Sequence, residues 1–257
     1  MSAIDALWIS VSPSFERFNR PLEGRLSSDC RLAVWEYVLG PDESTSLEGV
    51  VGMLQEYMAQ QTEPIHLIGH GLSGLVGLLL ARRYPSQVKS LTLLAVGCDP
   101  AHHWQTEYYQ LLANLPCQGR NILNKLVAAI FGRQPLAKAH NLADILAEDL
   151  LKAPSPTSLW RQYTVYPRPL SSPLLVCGSV DDPIVSPGAL QGWSAQFKAS
   201  DRLWQCPGGR HFFHYFYPDA TRSEIVKFWS ALESNSEQSP EISNQLLSPV
   251  HSPKQAG

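Results

Sequence analysis

The chain has 257 residues, enough for one α/β domain with a real core or for two small domains. A hydrophobic share of 44%, a charged share of 17% and a net charge of −3 describe an ordinary globule with no basic field for nucleic acid or anionic lipid. The five cysteines (Cys30, Cys98, Cys117, Cys177 and Cys206) are odd in number and form no CxxC pair, which argues against a zinc or redox motif.

Short apolar runs alternate with helix-length amphipathic segments, the pattern of a parallel sheet with crossover helices. The predicted strands are Ala6–Val11, Leu32–Val38, Ile65–Ile68, Leu91–Val96, Leu174–Cys177 and Leu203–Cys206. Nearly unbroken apolar runs such as LTLLAV suit strands covered on both faces. Pro21 can open a helix that runs to Ser27. Thr45 and Glu48 fit a capping box for a helix reaching Gln60. The run GLSGLVGLLLARRYP reads as a buried helix stopped by Pro85. Gly71, Gly74 and Gly77 recur every three residues there, a spacing that lets a helix backbone lie close to a sheet. Each mid-helix glycine costs ~1 kcal/mol relative to alanine.

From about residue 99 to 168 the strands stop, and helical periodicity appears at 105–114, 120–131 and 137–152. This predicts an all-helical insertion between two strands. The last strand-and-helix unit ends near Leu232, so one domain is expected over 1–234. The Ser-, Pro- and Gln-rich end, 235–257, reads as a disordered tail. The start MSAIDALWISV lacks a charged region followed by a long apolar run, so no signal peptide is expected. No stretch of about 18 uninterrupted apolar residues predicts a membrane span. A reduced, cytoplasmic setting follows as the expectation.

Three segments bear chemistry. IHLIGHGLSG is a strand-to-helix turn. LLVCGSVDDPIV ends a strand in a loop with Asp181 and Asp182. LWQCPGGRHFFHYFYP ends the next strand in a glycine-rich loop with His211. In this order of turn, acid and histidine, the chain resembles the α/β-hydrolase fold superfamily over roughly residues 5 to 232. The resemblance implies about six mostly parallel strands flanked by helices, with the helical insertion as a cap. It also implies a nucleophile elbow, a general-base histidine and a carboxylate that holds the histidine's tautomer.

The elbow departs from the family's G-x-S-x-G pattern. The nucleophile position falls on Gly71, and Ser73 stands where a glycine is usual. Gly71 has no side chain, so the covalent route is closed at that position. Ser73 lies two residues into the helix, about 200° round from the apex. It is expected to face the sheet or a neighbouring strand, as a small packing residue with a hydroxyl bonded to the preceding turn. The loop after the first strand reads SPS where many members have His-Gly, so Ser12 and the Leu72 N–H are the candidate oxyanion donors. The family usually places a β-hairpin before this strand, so a sheet with one trimmed edge is expected.

For the acid, counting from Gly178 gives Asp181, and alignment on D-P-I-V gives Asp182; the first is preferred. His211 matches the family histidine, whereas His214 belongs to the following helix start. His70, just before the apex, is expected to pack or bond locally beside the pocket. His102 and His103 lack a third metal ligand at sensible spacing and start the first cap helix; no metal or cofactor is expected. Trp104 and Tyr108 either line an apolar pocket or fasten the cap to the core. Three functions follow. The first is a pseudoenzyme that binds a small apolar ligand or a protein partner. The second is an esterase-like hydrolase or lyase driven by an Asp–His pair acting on water or a proton. The third is a serine hydrolase using Ser73.

Overall fold

The computed structural model describes residues 3–40, 46–115, 118–155, 157 and 163–237. Six strands form one sheet: β1 (Ala6–Ser10), β2 (Leu32–Glu36), β3 (Ile65–His70), β4 (Val88–Leu94), β5 (Leu174–Ser179) and β6 (Arg202–Cys206). Every pairing is parallel, in the order β2-β1-β3-β4-β5-β6. Parallel strands require crossovers, and helices supply them.

Helix α1 (Glu16–Leu26) follows β1, α2 (Leu47–Met58) follows β2, and α3 (Leu72–Arg83) follows β3. Three helices stand between β4 and β5: α4 (Trp104–Asn114), α5 (Gly119–Phe131) and α6 (Leu136–Lys152). After β5 comes α7 (Pro187–Gln191). After β6 come α8 (Phe213–Phe216) and α9 (Pro218–Glu237).

The strand period of two divides the core. Leu7 and Ile9 of β1 join the cluster that takes in Leu54 of α2, Leu75 of α3 and the insertion residues Leu126 and Leu146. Ala6 and Trp8 join a second cluster with Leu22 of α1 and Phe228 of α9. Both faces of β1 are therefore covered, which is why all five of its residues are buried. The sheet is thinnest at β2, whose residues are half-buried or exposed.

Local chemistry moves some boundaries. Pro21 lies inside α1 and does not start it. A 3-10 turn opened by Pro13 already sets the helical direction, so the helix begins earlier. Helix α2 begins after Ser46, whereas Thr45 lies outside the described residues. Helix α9 runs on to Glu237, so residues 235–237 are helical where a tail was expected. The rest of that expected tail, 238–257, lies outside the described residues, as do Cys117 and parts of the segment 156–162. Among the described residues no helix is long and apolar enough to cross a membrane.

Candidate active site

The chemistry-bearing segments meet at the C-terminal ends of β1, β3, β5 and β6, where open α/β sheets place their sites. Strand β3 ends at His70, and α3 starts at Leu72, so Gly71 alone makes the turn. Its backbone has φ 51° and ψ −119°, a conformation that side chains rarely adopt. The Gly71 N–H donates to the Leu94 carbonyl at 2.9 Å, which fixes the apex over the end of β4. Below the apex the helix lies hard against the strand. A Cβ on Gly69 would stand 2.6 Å from the Gly74 nitrogen, and one on Gly74 would stand 2.7 Å from Val96 Cγ2.

The apex itself has room. A Cβ on Gly71 would meet only His211 Nε2 within 4 Å, at 3.9 Å. His211 stands in a loop set by left-handed backbone at Gly209 (φ 100°) and Arg210 (φ 53°). Its Nδ1 donates to Asp182 Oδ2 at 3.0 Å. Asp182 and His211 are fully buried or nearly so. Asp182 is held in turn, because its Oδ1 accepts the Ile184 N–H at 2.8 Å. With Nδ1 donating, Nε2 is the acceptor of the neutral ring. That nitrogen is buried and has no partner among the described residues.

The preference for Asp181 is corrected by this geometry. Asp181 is exposed, and its Oδ1 accepts the Arg210 N–H at 2.8 Å and the Ser179 hydroxyl at 2.6 Å. It staples the histidine loop. Asp182, one residue further round the turn after β5, points inward and reaches the imidazole.

Ser73 is buried, and the partner of its hydroxyl is not the preceding turn. The hydroxyl accepts the Val11 N–H at 3.0 Å, 62 residues away in sequence. The bond ties α3 to the chain leaving β1. Leu72 occupies the first helical position, where its N–H has no intrahelical acceptor. The Ser12 side chain faces Asp149 of α6.

His70 Nε2 donates to the His211 carbonyl at 3.0 Å, and its ring lies 4.9 Å from the His211 ring. Burial, then the neighbouring His214 and His211, hold His70 well below the usual imidazole range. His214 lies in the first turn of α8, where its Nε2 donates to Asn19 Oδ1 at 3.1 Å. Trp104 packs edge-to-face on Phe15 at 5.9 Å and fastens α4 to the loop after β1. Tyr108 stays within the insertion, with its hydroxyl 3.1 Å from where a Gly119 Cβ would stand.

Two further buried groups stand out, His103, read from the sequence only as a helix start, and Asp149, which escaped that reading. His103, at the N-cap of α4, is 3% exposed, and neither ring nitrogen has a partner among the described residues. Burial pushes its pKa down to about 3, helped by His102 and His211. Asp149 is fully buried and accepts from Gln105 Nε2 at 2.8 Å. Burial pushes its carboxyl up to about 7, against hydrogen bonds from Gln105, Ser12 and Trp104. The signal for Asp149 was available: it continues the apolar stripe Leu142–Ile145–Leu146 of α6. Each buried polar atom left without a partner costs ~1–3 kcal/mol.

No group of three or more His, Cys, Asp or Glu side chains could hold a metal among the described residues. A cavity of about 240 Å³ adjoins the histidine loop, lined by Phe131, Asp181, Gly209, Arg210, Phe216 and Tyr217.

A family model of the alpha/beta hydrolase fold matches residues 59–142, which run from before β3 into α6. An uncharacterized protein of Nostoc sp. is 41% identical over 226 residues, covering 88% of this chain and 90% of that protein. An uncharacterized protein of Synechocystis sp. is 35% identical over 227 residues, with 88% and 90% covered. A putative lipase from Acinetobacter baumannii has a TM-score of 0.67 at 18% identity, over 91% of this chain and 86% of the other. A thermophilic esterase gives 0.68 at 14%, over 90% and 91%. A haloalkane dehalogenase loop variant from Bradyrhizobium elkanii gives 0.65 at 14%, over 92% of each. At such identities the structural likeness speaks for the fold alone. With strand order, matched segment and relatives in agreement, this chain belongs to the α/β-hydrolase fold superfamily.

Proposed function

We propose that this chain is a non-catalytic member of the superfamily, which uses the site under its helical cap to hold a small, largely apolar ligand or a partner. The observation that carries the reading is Gly71 at the apex, with φ 51° and no side chain to attack a substrate. In this reading Ser73 does not replace the lost hydroxyl: it accepts the Val11 N–H, which ties it to the chain leaving β1. In this reading residues 99–168 form the cap, and Asp182 with His211 is a polar anchor. Leu72 would supply the one backbone donor at the apex. The reading carries with it a reduced, cytoplasmic setting, supported by free thiols at Cys30, Cys98, Cys177 and Cys206.

The test is hydrolysis of short-chain aryl esters by the wild type and by Gly71→Ser side by side. Turnover by Gly71→Ser alone supports the proposal. Equal turnover by both sinks it.

A second reading is favoured by the unpartnered Nε2 of His211, which faces the apex. There His211, oriented by Asp182, would take a proton from water or from a substrate, giving hydrolysis or a lyase reaction without a covalent step. Wild-type turnover that disappears in His211→Ala, with no labelling by a serine-directed fluorophosphonate, would establish it.

A further inference from the structure

We propose that Arg210 is a positioning residue for His211, which ties the imidazole to the last turn of helix α5 in the insertion. The proposal rests on the reading in which the insertion caps the Asp182–His211 pair.

The backbone gives the first observation. Arg210 has φ 53°, a left-handed geometry that glycine adopts freely and a side chain resists. Gly209 beside it needs glycine for space, since a Cβ there would stand 2.6 Å from Phe213 Cα. At position 210 a glycine would relieve strain, yet the chain carries an arginine. Such a conformation persists where the surroundings fix it. Two hydrogen bonds do so. The Arg210 N–H donates to Asp181 Oδ1 at 2.8 Å. Its Nη1 donates to the Ala129 carbonyl at 3.1 Å, 81 residues away in sequence.

The second observation is where these bonds lie. Ala129 stands in the last turn of α5, where carbonyls lack intrahelical donors and the helix dipole favours a cation. The arginine stem crosses the turn that ends α5: a Cβ on Gly132, its C-cap, would stand 3.4 Å from Arg210 Nε. On the other side of His211, Phe212 stacks on Phe131 of the same turn, with centroids 5.1 Å apart and planes 5° apart. Both chain neighbours of His211 therefore grip the end of α5. The Phe212 ring also packs on Phe15 and Phe18, so the core holds it without α5. The guanidinium has its hydrogen bond to α5. The main-chain bond from Arg210 to Asp181 also runs beside the bond from His211 to Asp182, one residue along on each loop. A displaced Arg210 thus moves the imidazole against its carboxylate.

The experiment uses the full chain. Arg210→Met keeps a long side chain and the same demand on φ but removes the donor. Arg210→Lys keeps a donor for one carbonyl. Long-range proton–nitrogen spectra of isotope-labelled histidine read the His211 tautomer, with His211→Ala for assignment. The wild type should show the Nδ1–H form. Arg210→Met should shift both His211 ring nitrogens and bring in the other tautomer, while His66 at the far end of β3 keeps its signals. Arg210→Lys should return the wild-type pattern. In a Gly71→Ser background, Arg210→Met should lower kcat for an aryl ester about 100-fold with little change in KM.

A folded Arg210→Met with unchanged His211 signals overturns the proposal. So does an Arg210→Lys that fails to restore them, which would leave Arg210 as a packing residue. Should Arg210→Met not fold, Arg210→Gly takes its place, because glycine accepts φ 53° without strain; the same shift is expected, and unchanged signals are equally fatal. Aryl-ester turnover by the wild type with the shift present overturns the non-catalytic reading and leaves the role of Arg210 standing. Unchanged signals without wild-type turnover overturn the role of Arg210 alone.

Discussion

The Cβ position of Gly71 lies 3.9 Å from Nε2 of His211, and Nδ1 of the same ring donates to Asp182 at 3.0 Å. A hydroxyl on that Cβ would come within hydrogen-bond reach of a base already oriented by its carboxylate. Gly71→Ser is therefore expected to create an acylating serine. The check is a burst of nitrophenol from an aryl ester together with fluorophosphonate labelling, both lost when His211→Ala is added. The new side chain must adopt φ 51°, at a cost of ~1–3 kcal/mol, so the variant should melt below the wild type. A folded Gly71→Ser that neither acylates nor labels would show that the apex and the base are misaligned.

Asp182 and Asp181 should separate cleanly in that active background. Asp182→Asn removes the acceptor that fixes the His211 tautomer, and such a loss costs about four orders of magnitude in turnover. Asp181→Asn leaves the imidazole in place and loosens the Arg210 loop, at a cost of about 1 kcal/mol of stability. Comparing kcat and urea midpoints of the two variants reads both effects. Equal loss of kcat would mean that Asp181 reaches the ring in solution.

Ser73 is a structural acceptor. Ser73→Ala strands the buried Val11 N–H, and the expected destabilisation is ~1–3 kcal/mol. Any catalytic or labelling behaviour of the wild type should survive the change. Loss of fluorophosphonate labelling on Ser73→Ala would restore Ser73 as a nucleophile.

Asp149 makes stability depend on pH in a definite direction. Its folded pKa is raised from 3.8 to about 7, so between those values the folded chain holds a proton that the unfolded chain has released. Stability from this group is thus full at low pH and is lost as pH rises toward about 7. His103 and His214, with pKa values pushed down to about 3, act oppositely: their contribution is lost as pH falls below 6.5. Comparing Asp149→Asn with the wild type isolates the first effect. The substitution should lower the melting temperature more at pH 5 than at pH 8. An equal or reversed loss would mean that Asp149 is ionised in the folded chain at pH 5.

Much of this was legible in the residues themselves. The six strands and the three insertion helices follow from apolar runs and helical periodicity, because those patterns record which faces are buried. Gly71 at the elbow was visible for the same reason, since position in the turn follows from the strand before it and the helix after it. Pro21 misled because a 3-10 turn opened by Pro13 nucleates α1 earlier, and a single proline does not reveal which of two starts wins.

Sequence alone could not divide the work of Asp181 and Asp182, because adjacent residues in a turn point in different directions and only the loop from β6 decides which one meets His211. Nor could it pair Ser73 with Val11, since the two are joined across a crossover and not by spacing. The sequence by itself determined the parallel sheet, the emptied elbow and the residue types at the strand ends. The tertiary structure decided their orientation, because hydrogen-bond direction and burial depend on which strands lie side by side.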